Sequence, residues 1–65
     1  MPVIQVTMLE GRTSEQKREF MARLTSAATE ALGSNPESVR VILTEVTADH
    51  FAVAGVPISE RASKS

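Results

Sequence analysis

The sequence contains no cysteine, tryptophan or tyrosine, and a single histidine, His50, among its 65 residues. Without cysteine the chain forms neither disulfides nor thiolate metal sites, and one histidine does not build a histidine metal site. A chain of this length buries only ~60% of the surface that its unfolded form exposes, so its fold is marginal alone. Because disulfides and metals are excluded, we predict a single domain, residues 1–65, that is stabilised by self-association.

Charge and hydropathy exclude two further kinds of partner. The seven basic and eight acidic residues give a net charge of −1 and are scattered, unlike the basic patch of a nucleic-acid-binding protein. No run approaches the ~20 apolar residues of a membrane span, and no signal-peptide pattern is visible. We therefore expect a cytoplasmic protein that binds neither nucleic acid nor membranes.

The first half of the chain predicts a strand followed by a helix. Residues 3–9 (VIQVTML) are mostly apolar and alternate between two faces of a strand. Thr13 and Gln16 fit a capping box, and Gly33 suits the position just after a helix, so we expect a helix that ends near residue 32. The apolar stripe expected on this helix comprises Phe20, Leu24, Ala27, Ala28 and Ala31, widened by Met21 and Leu32.

The second half predicts another strand at residues 39–46 (VRVILTEV) and a small hairpin or edge pairing at residues 51–57. From Ser59 to residue 65 the polar sequence predicts a frayed tail. Strand, helix and strand in this compact form make a βαβ unit with parallel strands. Two strands alone do not make a stable sheet. The predicted fold class is therefore α/β, a single βαβ unit with a short C-terminal hairpin, whose sheet is completed by oligomerisation.

Three residues carry the candidate chemistry. Removal of the initiator methionine gives Pro2 a secondary amine, whose pKa falls when apolar surroundings disfavour the charged form. Such an amine suits general-base catalysis near neutral pH. Arg40 interrupts an apolar strand. It is either an edge arginine whose guanidinium reaches water or a hydrogen-bond donor to a carboxylate or enolate oxygen. Arg12 lies in a glycine-containing turn, where a solvated side chain is the simpler interpretation.

The spacing of these residues favours a site shared between two copies. At ~3.3 Å per strand residue, Pro2 and Arg12 lie ~25 Å or more apart, at opposite ends of the first strand. Arg40 begins a parallel strand and lies toward the Pro2 end. If two copies pair their first strands antiparallel, Arg12 of one copy approaches Pro2 of the other.

The motifs as a set resemble the 4-oxalocrotonate tautomerase family. The resemblance runs without gaps from Pro2 to about residue 58. It rests on residues 1–2 (MP), 8–13 (MLEGRT), 15–17 (EQK), 38–42 (SVRVI), 44–45 (TE), 50–51 (HF) and 54–55 (AG).

The resemblance implies a homohexamer, a trimer of dimers, that acts without a metal or cofactor. It implies that Pro2 is a general base that moves a proton in an unsaturated 2-keto acid such as 2-hydroxymuconate. It implies that Arg12 binds the distal carboxylate of the substrate. It also implies that Arg40 binds the 2-keto acid end and stabilises the charge that develops there, and that Phe51 forms a wall of the pocket. Further substrate-binding candidates are Leu9, by its backbone amide, and Ser38 and Val53, by position.

Some alternatives stay open. A tautomerase of monocarboxylate enols such as phenylenolpyruvate would not need the distal-carboxylate role of Arg12. A self-assembling module without activity would not need Pro2. Residues 56–58 vary across the family, and Val53 stands where haloacrylate-hydrating members have a glutamate, so dehalogenase activity is not expected.

Overall fold

A computed structural model describes residues 2–61, which form a βαβ unit followed by a short arm, residues 47–61. The elements are β1 (Val3–Leu9), α1 (Ser14–Leu32), β2 (Arg40–Val46), β3 (Ala52–Val53) and β4 (Val56–Pro57), with 3₁₀ turns at Pro36–Ser38, Ala48–His50 and Ile58–Glu60. The α/β fold class and the C-terminal hairpin are as predicted. Met1 and residues 62–65 lie outside the described residues, and with them the removal of the initiator and the end of the expected tail.

The parallel pairing of β1 with β2 gives the sheet one covered and one bare face. The register runs from Val3 opposite Arg40 to Leu9 opposite Val46. Helix α1 covers the face of Ile4, Val6, Met8, Val41 and Leu43, which are half-buried. On the other face Val3 and Ile42 remain 53% and 47% exposed. Apolar β-branched side chains on a bare sheet face are the expected mark of a surface that another chain covers.

Both ends of α1 follow the local signals in the sequence. The backbone N–H of Gln16 donates to Thr13 Oγ1, and the backbone N–H of Thr13 donates to Gln16 Oε1, both at 3.0 Å, which completes the capping box. At the other end Gly33 has φ 69°, and its N–H donates to the carbonyl of Thr29 at 2.9 Å. The left-handed conformation favours glycine, so the predicted end of the helix is confirmed.

The predicted apolar stripe of α1 is partly wrong. The half-buried positions of the helix are Lys17, Met21, Leu24, Thr25, Ala28 and Thr29. Phe20, Ala27, Ala31 and Leu32 are exposed instead. The helix is rotated by about one residue from the expected orientation, so small Thr side chains approach the sheet while Phe20 faces outward. Lys17 and Glu45 form a 3.0 Å ion pair between the helix and β2 at the edge of this contact.

The arm after β2 is held together by its own hydrogen bonds. The N–H of Ile58 donates to the carbonyl of Phe51 at 2.7 Å. Ser59 Oγ donates to Asp49 Oδ1 at 2.5 Å, and Arg61 Nη1 donates to the carbonyl of Val53 at 3.2 Å. Side chains therefore tie Ser59 to the 3₁₀ turn at Ala48–His50 and Arg61 to the hairpin, while the frayed tail expected from Ser59 onward stays a prediction.

Three smaller features concern the start of β2, the burial of Val39 and the length of the helix. Strand β2 begins at Arg40, one residue later than predicted, because the N–H of Val39 bonds to Pro36 at the end of a 3₁₀ turn. Val39 is also the one apolar residue among residues 2–61 that is buried, at 8% exposure. Within the same residues no helix is long and apolar enough to cross a bilayer.

Candidate active site

Pro2 and Arg40 lie side by side at one end of the sheet. The backbone N–H of Arg40 donates to the carbonyl of Pro2 at 3.0 Å, which extends the β1–β2 ladder by one residue. Pro2 is half-buried. The parallel topology therefore places the candidate base and the candidate cation on neighbouring strands, at the end where both strands begin.

The guanidinium of Arg40 is held from one side and open on the other. Its Nη1 donates to the backbone carbonyl of Glu37 at 2.7 Å, a short bond typical of a charged donor. Arg40 is exposed and shares the bare sheet face with Val3, its partner in the register. A guanidinium has five N–H donors, so most of them remain available to a carboxylate or enolate oxygen.

The turn before Arg40 is organised by Asn35. Its Oδ1 accepts from the N–H of Glu37 at 2.9 Å, and its carbonyl accepts from the N–H and Oγ of Ser38 at 2.9 and 2.8 Å. The sequence analysis gave Asn35 and Pro36 no role at the candidate site and missed their link to Arg40. The available signal was an asparagine before proline, which suits the cap of a 3₁₀ turn.

Ser38, a predicted substrate-binding residue, lies near Arg40 in the same turn. Its hydroxyl proton points to the carbonyl of Asn35 rather than outward. The oxygen retains lone pairs that can accept a hydrogen bond. A role for Ser38 in substrate binding therefore stays a prediction, restricted in this conformation to that of an acceptor.

Leu9 and Arg12 lie at the opposite end of the sheet. The N–H of Glu10 donates to the carbonyl of Val46 at 2.9 Å and closes this end. Gly11 has φ 126°, a conformation that favours glycine, and it turns the chain away from β1. Arg12 is exposed, and within residues 2–61 its side chain has no hydrogen bond or ion pair. One subunit therefore does not bring Arg12 to Pro2.

Phe51 and Val53 belong to the arm that leaves the sheet at the Arg12 end. Both side chains are exposed. Their backbone carbonyls accept the hydrogen bonds from Ile58 and Arg61 that fix the arm. The structure thus groups Pro2, Ser38 and Arg40 at one end, and leaves Leu9, Arg12, Phe51 and Val53 elsewhere in the subunit.

No group of three or more acidic or histidine side chains suited to a metal ion occurs within residues 2–61. The Ser38 hydroxyl and the backbone N–H groups of residues 37–40 all donate hydrogen bonds within the protein. The group near this end of the sheet that can bind and stabilise an anionic oxygen is therefore the guanidinium of Arg40.

The fold and these residues define a class of protein, a small βαβ subunit whose sheet carries a proline at position 2 next to a strand arginine. The chain belongs to the tautomerase family, because residues 2–61 match the family model described as tautomerase enzyme. A tautomerase is an isomerase of the keto–enol type, and the chain is assigned to that class of enzyme.

Curated relatives agree with this assignment over nearly the whole chain. A probable tautomerase of Ralstonia nicotianae is 58% identical over 59 residues, which cover 91% of this chain and 84% of the relative. The 2-hydroxymuconate tautomerase of Bacillus subtilis is 45% identical over 60 residues, which cover 92% and 97%.

A solved structure supports the fold in the same way. A heterohexamer 4-oxalocrotonate tautomerase from Chloroflexus aurantiacus superposes with a TM-score of 0.89 at 39% identity, covering 94% of this chain and 98% of that one. The predicted membership of the 4-oxalocrotonate tautomerase group is confirmed.

Proposed function

We propose that this protein is a cofactor-free tautomerase that uses Pro2 as a general base on an unsaturated 2-keto or 2-hydroxy acid such as 2-hydroxymuconate. The observation that carries the proposal is the hydrogen bond between the N–H of Arg40 and the carbonyl of Pro2. It joins the backbones of the proposed base and the proposed cation, and the side chain of Arg40 is exposed. The proposal requires a protein that begins at Pro2, because only then is its nitrogen a basic amine.

The proposed reaction moves one proton and leaves the enzyme unchanged. The Pro2 amine accepts the proton of the enol hydroxyl, which leaves a dienolate with its charge spread from oxygen to carbon. The protonated amine then returns the proton to carbon, and the 2-keto acid forms. Arg40 donates to the oxygen on which charge develops, an interaction stronger in the transition state than in the ground state.

Arg12 supplies the third part of the proposed site from a second copy. Strand β1 pairs with β2 on one edge, and within residues 2–61 no strand pairs with its other edge. A seven-residue apolar edge strand is a template for pairing. Antiparallel pairing of two β1 strands brings Arg12 of one copy toward Pro2 of the other, where it binds the distal carboxylate.

We propose the assembly to be a homohexamer, a trimer of dimers. Pairing through β1 makes the dimer, and the bare sheet face with Val3 and Ile42 gives the dimers an apolar surface on which to associate. The hexameric state of the Chloroflexus aurantiacus relative supports this number, although that assembly is a heterohexamer. In the proposed hexamer Phe51 and Val53, on the exposed arm, line a site formed with a neighbouring copy.

The substrate class follows from Arg12 and from the relatives. A second cation suits a dicarboxylate, and the Bacillus subtilis relative is a 2-hydroxymuconate tautomerase. The competing proposal, a monocarboxylate enol such as phenylenolpyruvate, leaves Arg12 without a ligand. Comparing the two substrates therefore separates these two tautomerase functions.

The deciding experiment is the ultraviolet rate of 2-hydroxymuconate ketonisation, with protein shown by intact mass to begin at Pro2. A kcat/KM within the usual enzyme range of ~10⁴–10⁸ M⁻¹s⁻¹ supports the proposal. A much lower value, with phenylenolpyruvate preferred, supports the monocarboxylate function. No rate above background on either substrate contradicts a tautomerase function and favours a binding module.

A further inference from the structure

Asn35 controls two successive peptide planes in the turn that leads to Arg40. Its side-chain Oδ1 accepts from the N–H of Glu37 at 2.9 Å, and its backbone carbonyl accepts from the N–H of Ser38 at 2.9 Å. The ring of Pro36 fixes φ between these anchors. In a trans peptide the C=O and N–H point in opposite directions. Holding the N–H of Ser38 inward therefore aims the carbonyl of Glu37 outward.

The outward carbonyl of Glu37 is the acceptor that holds the guanidinium of Arg40. The 2.7 Å bond from Arg40 Nη1 is the one hydrogen bond of this side chain found within residues 2–61. Arg40 is otherwise exposed, and an arginine side chain loses rotamer entropy when it is fixed. Without this acceptor, that cost falls on the step in which Arg40 meets its ligand.

We propose that Asn35 is a positioning residue for Arg40. This inference rests on the proposed function, in which Arg40 stabilises the charge that develops on the substrate oxygen. Asn35 itself touches no substrate. It orders the turn that holds the guanidinium in place before the substrate arrives, and preorganised donors stabilise a transition state without further rearrangement.

The chain offers matched variants for a test. Asn35→Ala removes the Oδ1 acceptor of the Glu37 N–H but keeps the backbone carbonyl that accepts from the Ser38 N–H, so it tests the side-chain anchor of the turn alone. Asn35→Asp keeps an acceptor of the same reach, since aspartate caps as well as asparagine. Ala22→Gly, in the exposed middle of α1, lowers helix stability without touching the turn. It serves as the control for a loss of thermal stability alone.

The first measurement is steady-state kinetics with 2-hydroxymuconate. Asn35→Ala is expected to lower kcat about tenfold while KM changes less than about twofold, because a misplaced donor weakens the transition state most. Asn35→Asp restores kcat, and Ala22→Gly leaves kcat unchanged below its unfolding temperature. In an Arg40→Ala background, Asn35→Ala has no further effect, since the two residues act through one interaction.

The second measurement is ¹⁵N relaxation at the Arg40 Nε–H, which reports side-chain order with no substrate present. Order is expected to fall in Asn35→Ala and to be retained in Asn35→Asp and Ala22→Gly. If the wild type is active and Arg40 keeps its order in Asn35→Ala, the inference about Asn35 is overturned and the proposed function is unaffected. The same holds if Arg40 loses order but kcat does not change. A wild type without tautomerase activity overturns the proposed function, and the catalytic role of Asn35 with it.

Discussion

The carbonyl of Pro2 accepts a 3.0 Å hydrogen bond from the backbone N–H of Arg40, and this contact joins the amino terminus to the start of β2. It is a consequence of parallel pairing, in which the crossover helix returns the chain to the end where it began. A residue that opens β2 must then lie beside the residue that precedes β1. The proposed base and the proposed oxyanion donor are therefore adjacent because of the topology.

Replacement of Arg40 tests its role at the developing negative charge. Arg40→Ala is expected to lower kcat/KM for 2-hydroxymuconate about 10²–10³-fold, the usual cost of removing one donor to an oxyanion. Arg40→Lys, which keeps the charge but loses the planar fork, should lie between that variant and wild type. Arg23→Ala is the control, because Arg23 forms only an exposed pair with Glu19 at 2.6 Å. An Arg40→Ala enzyme with wild-type kcat/KM would rule out this role.

A residue left in front of Pro2 should abolish the general base. An amide nitrogen is not basic, so protein with an uncleaved amino-terminal extension is expected to lose about 10²–10⁴-fold in kcat, the contribution of general-base catalysis. The matched control carries the same tag at the carboxyl terminus. Size-exclusion chromatography must show the same assembly for both proteins. If the extended protein keeps its rate, Pro2 is not the base, and the non-enzymatic or another catalytic alternative gains weight.

The elements that local chemistry determines could be predicted from the sequence. The cap at Thr13 and the turn at Gly33 depend on neighbouring residues alone, so the bounds of α1 were correct. The alternation of β1 was correct for the same reason. The orientation of α1 was predicted only in part, because alanine and threonine positions form two adjacent stripes on the helix. The choice between them is made by packing against the sheet, which leaves Phe20 outside.

The support of Arg40 could not be predicted from the sequence. Its partner is the backbone carbonyl of Glu37. Every residue has a backbone carbonyl, so the sequence does not indicate which one binds Arg40. For Arg12 the sequence predicts the position but not the partner. Its separation from Pro2 follows from strand length, but a single subunit offers it no partner. Its role therefore depends on a second chain that the sequence only implies.

Replacement of Arg12 distinguishes the two substrate classes. Arg12→Ala is expected to raise KM for 2-hydroxymuconate about 10- to 100-fold, because a hydrogen bond to a charged group contributes about 1.5–3 kcal/mol. KM for phenylenolpyruvate, which has no distal carboxylate, should not change. Arg18→Ala removes a nearby exposed charge on α1 and serves as the control. An unchanged KM for the dicarboxylate would count against the proposed contact.

Mixing two impaired variants, assayed with 2-hydroxymuconate well below KM, tests whether the site is shared between copies. Arg12→Ala subunits keep Pro2 and Arg40, and Arg40→Ala subunits keep Arg12. If random assembly pairs them across β1, about a quarter of the sites regain all three residues, so the mixture should recover up to about that fraction of wild-type activity. Each variant refolded alone provides the baseline. A mixture that is no more active than the average of its parents would place the complete site within one subunit.

The turn of the hairpin predicts a stabilising substitution. Ala54 and Gly55 connect β3 to β4 with φ 55° and 82°, so both residues lie in the left-handed region of a type I′ turn. For alanine this conformation costs roughly 1–2 kcal/mol, and asparagine tolerates it better. Ala54→Asn is therefore expected to raise the free energy of unfolding by about 0.5–1 kcal/mol.

Gly55→Ala, the control of opposite sign, should lower the free energy of unfolding. Urea unfolding of all three proteins at one subunit concentration measures both effects, since assembly makes stability concentration-dependent. A destabilised Ala54→Asn protein would mean that this position meets a neighbouring chain that excludes the larger side chain.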